Sequence, residues 1–399
     1  MLKGIGVPVQ RLRSPFLRRA TATSPSLLIC KSSMSETPKP ILPSFVSLPD
    51  NDKTAQNPTH SGYKFRLVSY NILAQIYVKS IYFSHSPSSC LKWKARSQAV
   101  LTHLKDFGAD FLCLQELDEY NSFYKKNMEG VGYSTIYIQR TGGKRDGCGI
   151  FYKQSSAEVL LTEEIHYNDL VDQLDPSSLN RTKSEADVAD DIRKLDISST
   201  NEKETKKKAS KGDPNDPRVR LKRDCVGLLA AFKLNHPSNP LIIVANTHIY
   251  WDPDWADVKL AQVKYLLSRL SKFRELVSSR FNSVPSVILV GDFNSTPGDQ
   301  VYNYLVSQGS DASNEVAPIK LSSLYGANGG EPEFTNCTPG FTGTLDYIFL
   351  SCNSNRLKPV SLLHVPGPDA PDAAGGLPNY FHPSDHLPIG ADFELSSIS

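Results

Sequence analysis

Apolar residues in this chain gather into short runs, and the runs end on polar residues capable of chemistry. Phe65-Arg66-Leu67-Val68-Ser69-Tyr70 alternates as a half-buried strand does and stops at Asn71. Phe111-Leu112-Cys113-Leu114 is unbroken and stops at Gln115-Glu116. Leu241-Ile242-Ile243-Val244 leads to Asn246-Thr247-His248, and Val287-Ile288-Leu289-Val290 leads to Gly291-Asp292. Unbroken apolar runs bounded by turn residues predict strands buried on both faces. Further strands are expected at Gly149–Tyr152, Cys225–Phe232, Leu345–Leu350 and Pro388–Phe393. Apolar positions at helical spacing predict helices over 91–106 and about 256–279. Strands outnumber helices and no repeat of 20–50 residues is visible. The economical α/β arrangement is two sheets packed face to face with helices outside.

Three stretches fall outside this pattern. Residues 1–35 carry Lys3, Arg11, Arg13, Arg18, Arg19 and Lys31 with many Ser and Thr, and no acid precedes Glu36. Such a start resembles a mitochondrial or plastid transit peptide, with a basic disordered tail as the plainer reading. A start at Met34 would leave the product in the cytoplasm or nucleus. Residues 36–62 read as a Pro- and Ser-rich linker, so ordered sequence is expected from Tyr63, in one catalytic domain over 63–395. About 168–220 contains no aromatic residue and reads as a long, largely disordered surface insertion.

Composition narrows the function. A net charge of +2 excludes a uniformly basic nucleic-acid binder, so any polyanion site is local or borrows charge from metal ions. Seven cysteines without a C-x-x-C pair argue for a reducing compartment and against a disulfide or zinc framework. No run approaches the roughly 18 apolar residues that span a membrane.

The repeated strand-end residues carry the chemistry: Asn71, Glu116, His248, Asp292 with Asn294, Asp346, and Asp385 with His386. Hard oxygen ligands without cysteine suit Mg²⁺, with Mn²⁺ as substitute, in one or two sites. The set fits metal-assisted attack of water on a phosphodiester, where bound metal offsets the repulsion between carboxylates and an anionic substrate. A His beside an Asp is held in one tautomer and in its charged form.

Ser69-Tyr70-Asn71-Ile72-Leu73, Leu114-Gln115-Glu116, Thr247-His248, Gly291-Asp292-Phe293-Asn294-Ser295, Leu345-Asp346-Tyr347-Ile348 and Ser384-Asp385-His386-Leu387-Pro388 resemble, in order, the motifs of the endonuclease/exonuclease/phosphatase superfamily. The resemblance implies a DNase I-like, four-layered α/β sandwich. It implies Glu116 as main metal ligand with Asn71 beside it, and Asp385 leaning toward metal. Asp292 would bind or deprotonate the attacking water and take part in a second metal site, and Asn294 would contact substrate. Asp346 would orient His386, and His248 would grip the scissile phosphate.

Arg145-Asp146-Gly147-Cys148-Gly149-Ile150-Phe151-Tyr152-Lys153 and Ala245-Asn246-Thr247-His248-Ile249-Tyr250-Trp251-Asp252-Pro253 are similar to the carbon catabolite repressor type of poly(A) 3′-exonuclease. That likeness implies removal of adenylates from the 3′ end of single-stranded poly(A) RNA as 5′-AMP. It also implies a sandwich of the terminal adenine between Pro253 and Phe341, with Asn336 as a further contact. Two features depart from the branch. Lys144-Arg145 makes a short basic loop where an acidic substrate contact is common. No leucine-rich repeats precede the domain, so docking to a deadenylase scaffold through them is not supported. The basic loop keeps an alternative open: a phosphatase or phosphodiesterase on small adenine nucleotides, such as the NADP(H) 2′-phosphate or 2′,5′-oligoadenylate.

Overall fold

A computed structural model describes residues 40–42, 44–49, 62–172, 213, 215–307, 317–352 and 356–396. The strands, in chain order, are β1 (Phe45–Ser47), β2 (Tyr63–Asn71), β3 (Phe111–Gln115), β4 (Tyr133–Gln139), β5 (Gly147–Lys153), β6 (Ala157–His166), β7 (Val226–Leu234), β8 (Leu241–His248), β9 (Ser286–Asp292), β10 (Leu321–Ser323), β11 (Asn336–Thr338), β12 (Phe341–Gly343), β13 (Asp346–Ser351), β14 (Leu357–Leu363) and β15 (Ile389–Leu395). They form a seven-stranded sheet, β1-β14-β15-β2-β3-β5-β4, and a six-stranded sheet, β10-β13-β9-β8-β7-β6. A small ribbon, β11-β12, stands apart. The central pairs β2–β3 and β8–β9 are parallel and the others antiparallel.

Side-chain alternation builds the layers. In β2, Phe65 and Leu67 face the six-stranded sheet, joining Ile288 and Val290 of β9 in the central core. Their neighbours Val68 and Tyr70 face outward onto Val100, Leu101 and Leu104 of the helix Trp93–Asp106. In β9, Val287 and Leu289 face outward beneath Leu266, Leu270 and Phe273 of the helix Ala256–Phe281. Each fully buried Leu, Ile, Val or Phe contributes roughly 1.5–3 kcal/mol, so sandwiching the strands between core and helix explains their unbroken apolar runs. The result is the expected helix–sheet–sheet–helix sandwich.

One polar feature crosses the central core. Gln115 Nε2 donates to Asn246 Oδ1 at 2.7 Å, while Asn246 Nδ2 donates to the carbonyls of Leu114 and Gly149 at 3.0 and 2.9 Å. These buried amides join one sheet to the other just below the strand ends. An amide left unbonded there would cost about 1–3 kcal/mol, so the pair fixes how the sheets are registered.

The structure changes several expected boundaries. β1 lies inside the expected linker and pairs with β14 over Phe45↔Leu363 to Ser47↔Ser361. It adds an edge strand because Phe45 packs against the outer core and Arg66 lies over its ring at 3.7 Å. The ends of the expected insertion are ordered. Tyr167–Leu170 forms a 3₁₀ turn that buries Tyr167 and Leu170, and Pro217–Arg220 forms one helical turn capped by Asp216. Arg220 then forks onto Asp257 at 2.6 and 2.7 Å. Residues 1–39, 50–61 and 173–212 lie outside the described residues. No helix among the described residues is long and apolar enough to cross a membrane.

Candidate active site

The functional side chains sit where strands of both sheets end. In the six-stranded sheet His248 pairs with Asp292 across β8–β9, and Asp346 pairs with Asp292 across β13–β9. Three chemically capable residues therefore occupy one row. In the seven-stranded sheet Asn71 pairs with Gln115, and Glu116 follows directly. His386 arrives from the same sheet, three residues before β15.

Local backbone geometry presents these groups. Gly291 has φ +152°, and a Cβ there would lie 2.0 Å from the Thr247 carbonyl oxygen, so only glycine fits between β8 and β9. Glu116 and Asn294 hold left-handed φ values of +52° and +46°. Such strain on non-glycine residues costs about 1–3 kcal/mol and gathers where function demands it. Asn294 is held by three contacts. Its N–H donates to Asp292 Oδ1 at 2.9 Å, its amide donates to the Ile249 carbonyl at 3.1 Å, and its own carbonyl accepts from the buried Lys259 Nζ at 2.7 Å.

Asn71 joins the two halves of the site. Its Nδ2 lies 3.2 Å from Glu116 Oε1 and 2.9 Å from Asp292 Oδ2. The other Glu116 oxygen accepts the Ala74 N–H at 2.9 Å. Asp292 Oδ2 also faces His248 Nε2 at 3.5 Å and His386 Nε2 at 3.7 Å. Behind His386, its Nδ1 lies 2.7 Å from Asp346 Oδ2, and that oxygen also accepts the Thr335 hydroxyl at 2.6 Å.

Charge follows from burial and neighbours. Burial alone would lower His386, but the carboxylates of Asp346 and Asp292 outweigh it and hold the ring well above its ordinary value. Burial pushes the Asp346 carboxyl up to about 6, so at neutral pH the two form an ion pair. For His248 burial wins over Asp292 and the ring lies below its ordinary value, hence neutral. Burial, then Asp385 and Asp146, raise Glu116 to about 8. Among the described residues no Lys or Arg forms an ion pair with Glu116, Asp292 or Asp385. This carboxylate-rich, all-oxygen corner suits a divalent cation. Ligand atoms of Asp292, Asp346 and His386 also lie within 4.8 Å of one another. There, however, Asp346 is already engaged by His386 and Thr335, which leaves the trio a hydrogen-bonded pair facing Asp292 rather than a cage.

Glu116, His248, Asp292, Asn294, Asp385 and His386 all line one cleft of about 800 Å³, joined by Lys144. Asn336 sits beside it, bridging His386 through the backbone. Three expected substrate contacts stand elsewhere. Arg145 turns to Glu119 at 3.1 Å instead of entering the cleft. Phe341, 40% exposed, folds its ring over Gly343, where no side chain competes for the space. Pro253 is exposed on a turn closed by the Asp254 N–H donating to Asp252 Oδ1. Their neighbours Trp251, Pro339 and Gly340 line the cleft in their place.

Two contributors escaped the sequence reading. Arg140 lines the cleft, fixed by Asp146 and the carbonyls of Asp224 and Arg223. It follows β4, a strand not expected. Thr335 anchors Asp346 from a loop whose only signal was the neighbouring Asn336.

The Endonuclease/Exonuclease/phosphatase family model matches residues 68–386. Carbon catabolite repressor protein 4 homolog 4 of Arabidopsis thaliana is 57% identical over 355 residues, 88% of this chain and 82% of that protein. The 3′-5′-exoribonuclease subunit Ccr4 of the CCR4-Not complex of Schizosaccharomyces pombe is 27% identical over 86% of this chain, which spans only 51% of that protein's length. Among solved structures, ANGEL2, a 2′,3′-cyclic phosphatase in complex with adenosine-2′,3′-vanadate, matches 89% of this chain and 99% of its own at TM-score 0.63 and 25% identity. The human Nocturnin catalytic domain matches 88% of this chain and 97% of its own at TM-score 0.56 and 21% identity, and shares the fold.

Proposed function

The chain belongs to the Endonuclease/Exonuclease/phosphatase family, and on that footing we propose that it is a metal-dependent 3′-to-5′ exoribonuclease that shortens poly(A) tails and releases 5′-AMP. The observation that carries the reading is the likeness to carbon catabolite repressor-type proteins, which runs along 88% of the chain in the Arabidopsis relative.

The side-chain geometry supports such a reaction. Glu116 would hold Mg²⁺, or Mn²⁺ in its place, with Asn71 beside it and Asp385 contributing. The bound cation supplies Lewis-acid polarisation of the phosphoryl oxygen and neutralises charge. Asp292 takes the proton of the attacking water, since its Oδ2 is the acceptor at the centre of the site. Neutral His248 donates an N–H to the scissile phosphate. The P–O bond to the departing 3′-oxygen breaks as that oxygen gains a proton or cationic partner, and the His386 imidazolium, steadied by Asp346, provides it. Asn294 binds substrate beside Asp292, and Asn336 supplies hydrogen bonds that select adenine. Trp251 and Pro339, which line the cleft, supply apolar surface for the base, a stack on an aromatic ring being worth about 1–3 kcal/mol.

Full-length protein with Mg²⁺ is expected to shorten 5′-labelled oligoadenylate from its 3′ end, and Asp292→Ala to abolish the ladder. A second reading, phosphatase or phosphodiesterase action on small adenine nucleotides, draws on Arg140 and Lys144 in the cleft and on the likeness to ANGEL2. Wild-type protein that leaves oligoadenylate intact while hydrolysing NADPH or 2′,5′-oligoadenylate would establish that reading instead.

A further inference from the structure

The cleft has a wall that the chemistry above does not use. The loop after β2 runs from the 3₁₀ turn Gln75–Tyr77 to His85 and is pinned at both ends. The Tyr77 hydroxyl donates to Asp146 Oδ1 at 2.7 Å, and His85 Nε2 lies 2.8 Å from the Leu377 carbonyl oxygen. Between the pins a turn forms, with the N–H groups of Tyr82 and Phe83 donating to the Lys79 carbonyl at 2.9 and 3.2 Å. Phe83 points into the protein, whereas Ile81 and Tyr82 are 78% and 65% exposed. Both nevertheless line the same cleft as Glu116, Asp292 and His386.

Large apolar side chains this exposed contribute little to the core, so stability does not explain them. Lys79 lines the same wall, with Nζ 5.9 Å from the centre of the Tyr82 ring. Lys79 forms no ion pair among the described residues. An open aromatic face beside a free ammonium group, in a cleft that also holds Arg140 and Lys144, matches the chemistry of an unpaired base and its phosphate. The cleft's roughly 800 Å³ is at the upper end of the range filled by one small ligand, which leaves space for a strand that continues past the scissile bond.

Resting on the exoribonuclease reading, we propose that Tyr82 and Lys79 form a subsite for the nucleotide two positions to the 5′ side of the scissile bond, one that the dinucleotide ApA lacks. The Tyr82 ring stacks on its base and the Lys79 ammonium takes its phosphate. The subsite reads no sequence, because every base has a π face. It would give longer single strands an advantage over dinucleotides and mononucleotides.

The test uses full-length protein with two substrates, the dinucleotide ApA and a longer oligoadenylate, and with two readouts. The first is hydrolysis in Mg²⁺. Tyr82→Ala is expected to raise KM for oligoadenylate about tenfold, the scale of one lost base stack, with kcat and ApA hydrolysis unchanged. Tyr82→Phe keeps the ring and should behave as wild type. Lys79→Gln should flatten the salt dependence of oligoadenylate binding by about one phosphate contact. The second readout is binding of fluorescent oligoadenylate in EDTA, followed by anisotropy, which needs no catalysis. Tyr82→Ala protein that binds and cleaves oligoadenylate as well as wild type overturns the subsite. Wild-type protein that binds oligoadenylate through Tyr82 yet cleaves none keeps the subsite and overturns the exoribonuclease reading.

Discussion

Glu116 carries a heavy electrostatic load in the cleft, and that load has a measurable sign. Its carboxyl titrates near 8 rather than 4.5 because burial, Asp385 and Asp146 all disfavour the anion. Between those values the folded, metal-free protein holds a proton that the unfolded chain has released. Its stability should therefore fall as pH rises from about 5 to 8. A cation binding at Glu116 must displace that proton, so metal affinity should rise over the same interval. Calorimetry in buffers of differing ionisation enthalpy near pH 7 should show close to one proton released per cation, and Glu116→Gln should remove the release. At this scale the sequence was highly informative. Asn71, Glu116, His248, Asp292, Asp346 and His386 each end an apolar run, and the row His248–Asp292–Asp346 follows from strand pairing. Arg145 pairs with Glu119, a partner that its sequence position did not announce because the two meet only when the chain folds. Thr335 was invisible for the opposite reason: a hydroxyl has no sequence signature until the carboxylate it serves lies beside it.

Among the elements, β9 shows how a strand and a site share one requirement. Its last turn can form only if Gly291 lets β8 approach, since any Cβ would collide with the Thr247 carbonyl. Gly291→Ala should destabilise the protein by about 2–6 kcal/mol, from backbone strain and overpacking of roughly 1–3 kcal/mol each, as read from urea unfolding. Activity should fall further than stability alone explains, because Asp292 is the next residue. Strands buried on both faces, β3, β8 and β9, were legible because their apolar runs are unbroken. β6 was missed because it lies at a sheet edge and carries Glu158, Glu163 and Glu164, the charged residues that keep an edge from pairing with other chains. β14 was missed because Pro359, next to its bulge, reads as a breaker.

The whole molecule is two sheets brought into contact, and its border is wider than the hydrophobic pattern suggested. β1 is only three residues long and two of them are exposed, so nothing in its sequence marks it as structure. Its cost if removed is predictable. A chain beginning at residue 62 should unfold at a temperature several degrees below one beginning at residue 38, because Phe45 and its stack with Arg66 are lost and β14 becomes an edge. Differential scanning calorimetry of the two chains checks this. The same two-sheet construction bears on how the enzyme fails. One nitrogen, Asn71 Nδ2, stands 3.2 Å from a carboxylate of one sheet and 2.9 Å from a carboxylate of the other. It works as a shim, setting the gap across which cation, water and phosphate must fit. The gap depends on how the sheets lie together, whereas each strand depends on its own ladder. A slight slide between sheets would spoil the fit while every ladder stayed whole. Catalysis should therefore be the most sensitive gauge of this fold, lost before any helix or strand melts and regained when the two halves seat again.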